Sequence, residues 1–446
     1  MLVTCRQMRE AEERVFAAGA SAAILMEAAG GGIADVVRQF FPHPGTLVLY
    51  LGSGNNAGDA LVAARELRKD GWRVRARLSV EPEQMKELPR HHWLALPDID
   101  RLGSAPAADW KSKGPLILFD GLLGIGAAGE LRPTVRALAA EMNALRQSHH
   151  AATVAMDIPS GLDGDTGTPA VDAVIADITT VVGFVKSGLV TDTATAHVGR
   201  LSLVPLAALR QSDGDASALA LTPELLRAWL PRRAFEMHKG QAGRVGILAG
   251  SRGFLGAARL ACEGALRAGA GLVTLLVKED AYPLLATTLP PEIMVKPVAD
   301  YREALDLRFD VLAVGPGLGF EAEAEILDLL CAATAPAVMD ADALTMVAKL
   351  GLKGVCSMHG PRLLTPHPGE MSRLIATHPE WMELSRRALV EAVAAELPGH
   401  VCLLKGSRTV IARQGEPTLF NTTGHPGMAT GGMGDVLTGV CAALIG

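Results

Sequence analysis

Short apolar runs recur along this chain, separated by longer stretches with apolar residues at helical spacing. Thr46–Leu51 reads Thr-Leu-Val-Leu-Tyr-Leu, a continuous apolar segment that fits a strand covered on both faces. Similar runs at Val74–Val80, Leu116–Phe119, Thr153–Met156, Ile178–Val182 and Leu201–Val204 predict further strands. Residues 8–40 read as helices, with Met8, Val15 and Phe16, then Ile24, Leu25, Met26, Ile33, Val36 and Val37 at roughly helical spacing, and another helix is expected from about Asp59 to Lys69. Residues 206–220 lose this rhythm, which places a linker near Ser212–Ala220. A second array then begins, with strands expected at Val245–Ala249, Leu272–Val277, Val311–Val314, Ala337–Met339, Leu363–Leu364 and Val401–Leu404. Strands alternating with helices imply an α/β fold, each array a parallel sheet covered on both faces.

Bulk properties narrow the class. The 446 residues exceed one ordinary core, so two or three domains are expected. Apolar residues make up 49% and charged residues 20%, a globular balance. A net charge of −6 gives no global field for nucleic acid. The local basic cluster Arg65, Arg68, Lys69, Arg73, Arg75 and Arg77 reads as a solvated face, with a phosphate contact as the alternative. Cys5, Cys262, Cys331, Cys356, Cys402 and Cys441 form no Cys-x-x-Cys pair and show no zinc spacing, so reduced, buried thiols are expected. The N-terminus lacks the pattern of a secretory signal, and no apolar stretch has the length of a membrane span. The expectation is a cytoplasmic protein with no membrane or nucleic-acid partner.

Candidate chemistry sits where strands end. In the first array, Gly52–Asp59, Asp120–Gly126 and Asp157–Asp163 each follow an expected strand. Parallel sheets bind ligands at the carboxyl ends of their strands. Asn55, Asn56, Asp59, Asp120, Asp157 and Ser160 are therefore expected to converge, offering oxygens to a hard cation and a carboxylate for proton transfer. Gly52, Gly54 and Ala57 also fit a dinucleotide fingerprint, with Glu81 as its acid, and turns with helix caps would use the same residue types.

In the second array, His238–Gly240 precedes the first strand, while Ala249–Ser251, Gly315–Gly319, Met339–Leu344, Thr365–Glu370 and Leu404–Thr409 follow strands. His367 lies between two prolines in a stiff loop; it is either functional or structural. Lys405 meets a nucleotide phosphate or is a surface lysine. Thr422–Gly439 carries five glycines before Asp435 and an apolar segment after it. If a helix starts there, backbone N–H groups and the helix dipole favour an anion beside a carboxylate able to take a hydroxyl proton. A flexible glycine linker is the alternative.

Gly52–Asp59, Asp120–Gly126, Asp157–Gly161 and Leu25–Gly30 resemble the motifs of NAD(P)H-hydrate epimerases. The second array resembles ADP- or ATP-dependent NAD(P)H-hydrate dehydratases of the ribokinase-like fold, from about Leu221 onward. The resemblance implies an N-terminal Rossmann-like three-layer sandwich over residues 1–212 and a C-terminal ribokinase-like three-layer sandwich over 221–446, together a bifunctional repair enzyme. It implies a potassium ion held by Asn56, Asp120 and Ser160. Asn55, Asn56, Ala57, Gly58, Asp59, the loop Gly124, Ile125, Gly126, Ala127, Ala128, Gly129 and Glu130, and the catalytic Asp157 would meet the hydrated cofactor. In the second half, Lys405, Gly406, Ser407, Arg408, Thr409 and Gly434 would contact the adenine nucleotide, with magnesium accompanying it. Ala257, Gly319, His367 and the catalytic Asp435 would contact the hydrated cofactor. The substrates implied are NADHX and NADPHX, and further copies of the chain are the expected partners.

Departures exist. The epimerase family usually has Gly at Ala57 and Ala60, so added methyls are expected to crowd the pocket. His425 stands where Asn is common. The dehydratase family continues past the eleven residues that follow Asp435 here, so the second half is expected to be short. A small-alcohol kinase and a nucleotide-binding scaffold remain alternative readings.

Overall fold

The computed structural model describes residues 1–103, 114–126, 129–209, 216–230 and 232–446. The chain divides into two compact units, Met1–Thr222 and Pro223–Gly446. Part of the expected linker, residues 212–215, lies outside the described residues.

The first unit is built on a fully parallel sheet. Its order is Asp100–Arg101, Arg73–Leu78, Thr46–Leu51, Leu116–Gly121, Ala152–Met156, Ile178–Val182, Arg200–Val204. Thr46–Leu51 is central and buried almost throughout, as its unbroken apolar run requires. The chain grows outward from it in one direction, then returns to grow in the other. The order therefore reverses between Thr46–Leu51 and Leu116–Gly121, and the carboxyl ends of these two strands open a crevice. Tyr50 pairs with Asp120, and Asp120 with Ala155, so Asp120 lies inside the sheet at that mouth. Helices Cys5–Ala17, Ala22–Phe40 and Asn55–Lys69 contribute to the core on one face, and Pro133–Ser148 covers the other, giving three layers. Close helix packing needs a small residue at Gly30, where a Cβ would stand 2.4 Å from Val62 Cβ.

The second unit repeats the plan. Ile293–Pro297, Leu272–Val277, Arg244–Leu248, Val311–Val314, Ala337–Met339, Arg362–Leu364 and Val401–Leu404 run parallel in that order. Val410–Arg413 and Thr418–Phe420 continue the sheet antiparallel. The order reverses beside Arg244–Leu248. Helix Met433–Ile445 packs against helix Leu255–Arg267 through glycines: a Cβ on Gly439 would fall 1.9 Å from Ala261 O, and one on Gly264 2.5 Å from Val436 O.

The strands expected from apolar runs form within one or two residues of their expected ends. Ile293–Pro297 and the hairpin strands Val410–Arg413 and Thr418–Phe420 carry polar residues or proline and give no continuous run. The helix expected to begin at Asp59 begins at Asn55, so the polar residues Asn55–Asp59 lie in its opening turns. In the basic cluster, Arg65 pairs with Glu27 and Glu66, Lys69 with Glu66, Arg75 with Asp100 and Arg77 with Glu141. Among the described residues, no helix is long and apolar enough to cross a membrane.

Two candidate active sites

The crevice of the first unit holds a cavity of about 990 Å³. Asn55, Asn56, Gly124, Ile125, Gly126, Gly129 and Glu130 are among the residues that line it. Ala127 and Ala128 lie outside the described residues. Gly52 is required at the strand end, since a Cβ there would stand 1.9 Å from Leu122 O. Asn56 Nδ2 donates to Leu123 O at 3.0 Å and to Met156 O at 2.5 Å. That pairing leaves its Oδ1 toward Gly124, where a Cβ would intrude to 2.4 Å. Asp120 is wholly buried and accepts from Ser160 N and Ser160 Oγ, each at 2.6 Å, and from Leu122 N at 3.3 Å. Ser160 Oγ accepts in turn from Leu123 N at 3.0 Å. Burial pushes the Asp120 carboxyl up to about 6, while the Ser160 and Leu122 hydrogen bonds oppose the rise. Ser160 thus holds the buried Asp120 carboxylate, and Asn56 joins them through Leu123.

Asp157 and Asp59 face a different group. Asp157 has a left-handed backbone, φ 67°. Its Oδ1 accepts from Val182 N at 3.0 Å and from Lys186 Nζ at 2.5 Å. Burial, followed by the charges of Asp157 and Glu12, holds the Asp59 carboxyl well above the usual carboxylate range, with Lys186 opposing. Burial also raises Glu12, which Lys186 opposes and Asp157 reinforces. Of the six expected polar residues, Asp120, Ser160 and Asn56 group on one side and Asp59 and Asp157 on another, while Asn55 lines the cavity. Lys186 and Glu12 carry no sequence-based expectation; Lys186 follows the Ile178–Val182 strand end, but its position alone does not set it apart from a surface lysine. Gly58 packs on Met26, where a Cβ would stand 2.4 Å from Sδ. Ala57 and Ala60 are wholly buried core residues and do not line the cavity.

In the second unit, Asp435 lies in the first turn of helix Met433–Ile445, whose N-cap Gly432 has φ 87°. The centre of the group is Asp340, which is nearly buried and accepts from Lys405 Nζ at 2.6 Å and from Thr438 Oγ1 at 2.7 Å. Lys405 Nζ also lies 3.7 Å from Glu370 Oε2. A Cβ on Gly434 would stand 3.6 Å from both Asp340 Oδ2 and Lys405 Nζ, so the glycine loop, Lys405 and Asp340 come together. Burial raises the Asp435 carboxyl, Asp340 and Asp342 add to this, and Lys405 opposes. Burial raises Glu370 as well, against the His367 N–H bond and Lys405.

Asp342 Oδ2 accepts from Gly319 N at 2.9 Å, which joins the Gly315–Gly319 turn to this edge. A Cβ on Gly317 would stand 3.0 Å from Ala257 Cβ. His367 caps its own helix, accepting at Nδ1 from Gly369 N, and its Nε2 lies 3.4 Å from Glu370 Oε1. His425 accepts at Nδ1 from Gly427 N at 3.0 Å, the cap an Asn oxygen would supply. Within 405–409, Gly406 and Ser407 are exposed, and Thr409 Oγ1 donates to Gly406 O. Arg408 is buried, which pushes its guanidinium down to about 10. Asp340, Asp342, Glu370 and Thr438 carry no sequence-based expectation of their own, although all four stand in the strand-end and glycine-rich stretches named above.

Comparison with known proteins agrees with this division. A family model described as YjeF-related protein N-terminus matches residues 22–188, and one described as NAD(P)H-hydrate dehydratase matches residues 245–446. Among curated relatives, the bifunctional NAD(P)H-hydrate repair enzyme Nnr of Moorella thermoacetica is 35% identical, over 95% of this chain and 83% of that protein. Its namesake in Escherichia coli is also 35% identical, over 95% and 80%. Among solved structures, an ADP/ATP-dependent NAD(P)H-hydrate dehydratase from Bacillus subtilis, co-crystallized with ATP and magnesium, is 34% identical over 50% of this chain and 83% of that one, with a TM-score of 0.44. Similarity to full-length relatives across both units identifies the chain as a member of the bifunctional NAD(P)H-hydrate repair enzymes.

Proposed function

We propose that residues 1–212 interconvert the R and S epimers of NADH and NADPH hydrates, and that residues 221–446 return the S epimer to NADH or NADPH at the expense of ADP or ATP. The observation carrying this reading is the pair of strand-end sites, one in each unit, each built around buried carboxylates. In the first, Asp157 acts as the proton-transfer group, and Asn55 and Asn56 with Gly124, Ile125, Gly126, Gly129 and Glu130 hold the cofactor. In the second, Asp435 takes the proton from the ring hydroxyl as it attacks the terminal phosphorus of the nucleotide. The N–H groups at the start of helix Met433–Ile445 face the charge that develops. Phosphate then leaves with its C–O electrons, and loss of a proton from the adjacent ring carbon restores the double bond. Lys405 and the exposed Gly406 and Ser407, with Thr409 beside them, receive the nucleotide with its magnesium; Ala257, Gly319 and His367 border the hydrated ring.

The first site also suits potassium. Asn56 Oδ1, Asp120 and Ser160 Oγ are all oxygen donors, and a wholly buried carboxylate calls for a cation. Potassium held there would supply charge and fix the mouth of the crevice. Supplying mixed hydrate epimers with ADP or ATP, and following recovery of reduced-nicotinamide absorbance, tests the whole proposal. No recovery with either nucleotide would end it.

A further inference from the structure

The N-terminal unit buries a lysine completely. Lys186 has no exposed surface, and its Nζ stands 2.5 Å from Asp157 Oδ1. The same nitrogen donates to Val182 O at 3.1 Å, while Val182 N donates to Asp157 Oδ1 at 3.0 Å. Asp157, Lys186 and the last residue of strand Ile178–Val182 therefore form a closed ring of hydrogen bonds. Both ends of the ion pair are fixed. Lys186 lies in the short strand Val185–Lys186, paired with Leu2–Val3, and Ser187 Oγ donates to Val3 O. Asp157 holds a left-handed conformation, uncommon for a residue with a Cβ though aspartate tolerates it better than most.

The charge around the pair is one-sided. Helix Cys5–Ala17 presents Glu12 and Cys5 to it, with Arg9 beside Glu12; helix Asn55–Lys69 presents Asp59; Asp165 adds a carboxylate beside Cys5. Lys186 thus stands as a buried cation among carboxyls. Desolvating an ammonium is costly, and a stabilising role could be filled by an apolar side chain at less cost. A wholly buried ammonium also has no path to a ligand in the crevice. Its effect must pass through a neighbour, and the neighbour it grips is Asp157.

We infer that Lys186 is a positioning residue of the epimerase site, fixing the place of the Asp157 carboxylate and balancing its charge without touching substrate. The inference rests on the proposal that Asp157 carries proton transfer in epimerisation.

The test is a double-mutant cycle read by the rate of R–S interconversion in a magnetisation-exchange or chiral assay without nucleotide. Asp157→Asn alone examines the underlying proposal; full epimerisation in that variant would overturn the role of Asp157 itself. Lys186→Met is expected to lower kcat roughly 10- to 100-fold, as loss of an orienting partner does, with KM within about twofold of the parent. In the Asp157→Asn background it should lower kcat no further, because its effect runs through that carboxylate. Folding of each variant is checked by circular dichroism and melting. Should Lys186→Met not fold, Lys186→Arg takes its place, keeping the charge while displacing the carboxylate, with the same two readings expected. A folded variant with the parent kcat, a rise in KM alone, or an undiminished further loss on top of Asp157→Asn would overturn the inference.

Discussion

Asp435 is a carboxyl whose surroundings disfavour its charge. Burial comes first, then the nearby Asp340 and Asp342, and Lys405 offsets only part of this. A general base must be ionised to act, so activity falls as protons are added. Because the carboxyl is raised, dehydration should begin to fail at a higher pH than an ordinary aspartate, near 3.9, would give. Asp435→Asn keeps the shape and loses the base. Turnover should drop roughly 10²- to 10⁴-fold, about 3–5 kcal/mol of barrier, with nucleotide affinity nearly unchanged by calorimetry. Full turnover in that variant would remove Asp435 from the mechanism. Asp120 carries a second expectation. Potassium chloride should raise the melting temperature of the first unit where tetramethylammonium chloride does not, and Asp120→Asn should abolish the difference. Equal melting in both salts would count against the site. Asp435 and Asp120 stood out in sequence because each follows or precedes a run of glycines or an apolar strand. Lys186 did not, since a lysine after an apolar run looks like any surface lysine until its burial is known.

Helix Met433–Ile445 shows what a local pattern can and cannot reveal. Its start was legible from the glycines before Asp435 and the apolar residues after it. Its packing was not, because contact with helix Leu255–Arg267 depends on Gly439 and Gly264 meeting backbone across about 170 residues of chain. A methyl on Gly439 would reach 1.9 Å from Ala261 O, so the helices must separate to admit it. Gly439→Ala should destabilise the second unit by about 1–3 kcal/mol despite the better helix propensity of alanine. Chemical denaturation checks this, and an unchanged midpoint would show that the crossing is looser than its geometry. The parallel strands were legible for a related reason. Strands buried on both faces are apolar throughout, as Thr46–Leu51 and Leu272–Val277 are. The hairpin Val410–Arg413 and Thr418–Phe420 mixes apolar and polar positions, and the sequence gives no comparable run.

At the scale of the molecule, one chain carries two sites whose chemistries are sequential. In the proposed reading the second consumes one epimer and the first replenishes it. The separation was visible in the sequence as two motif sets on either side of residues 206–220, while the division of the first site into an Asp120 cluster and an Asp157 cluster needed three dimensions. If the sites act independently, Asp157→Ala should abolish epimerisation and leave dehydration of pure S hydrate at the parent rate. Given a mixture of epimers and excess nucleotide, the parent enzyme should recover all of the reduced cofactor in one continuous phase. The variant should recover the S share at a normal rate, then slow to the pace of uncatalysed epimerisation. The amplitude of the fast phase therefore reports the S fraction supplied, and adding active epimerase should release the remainder. Loss of both activities in a folded Asp157→Ala protein would mean that the two units do not work as separate catalysts.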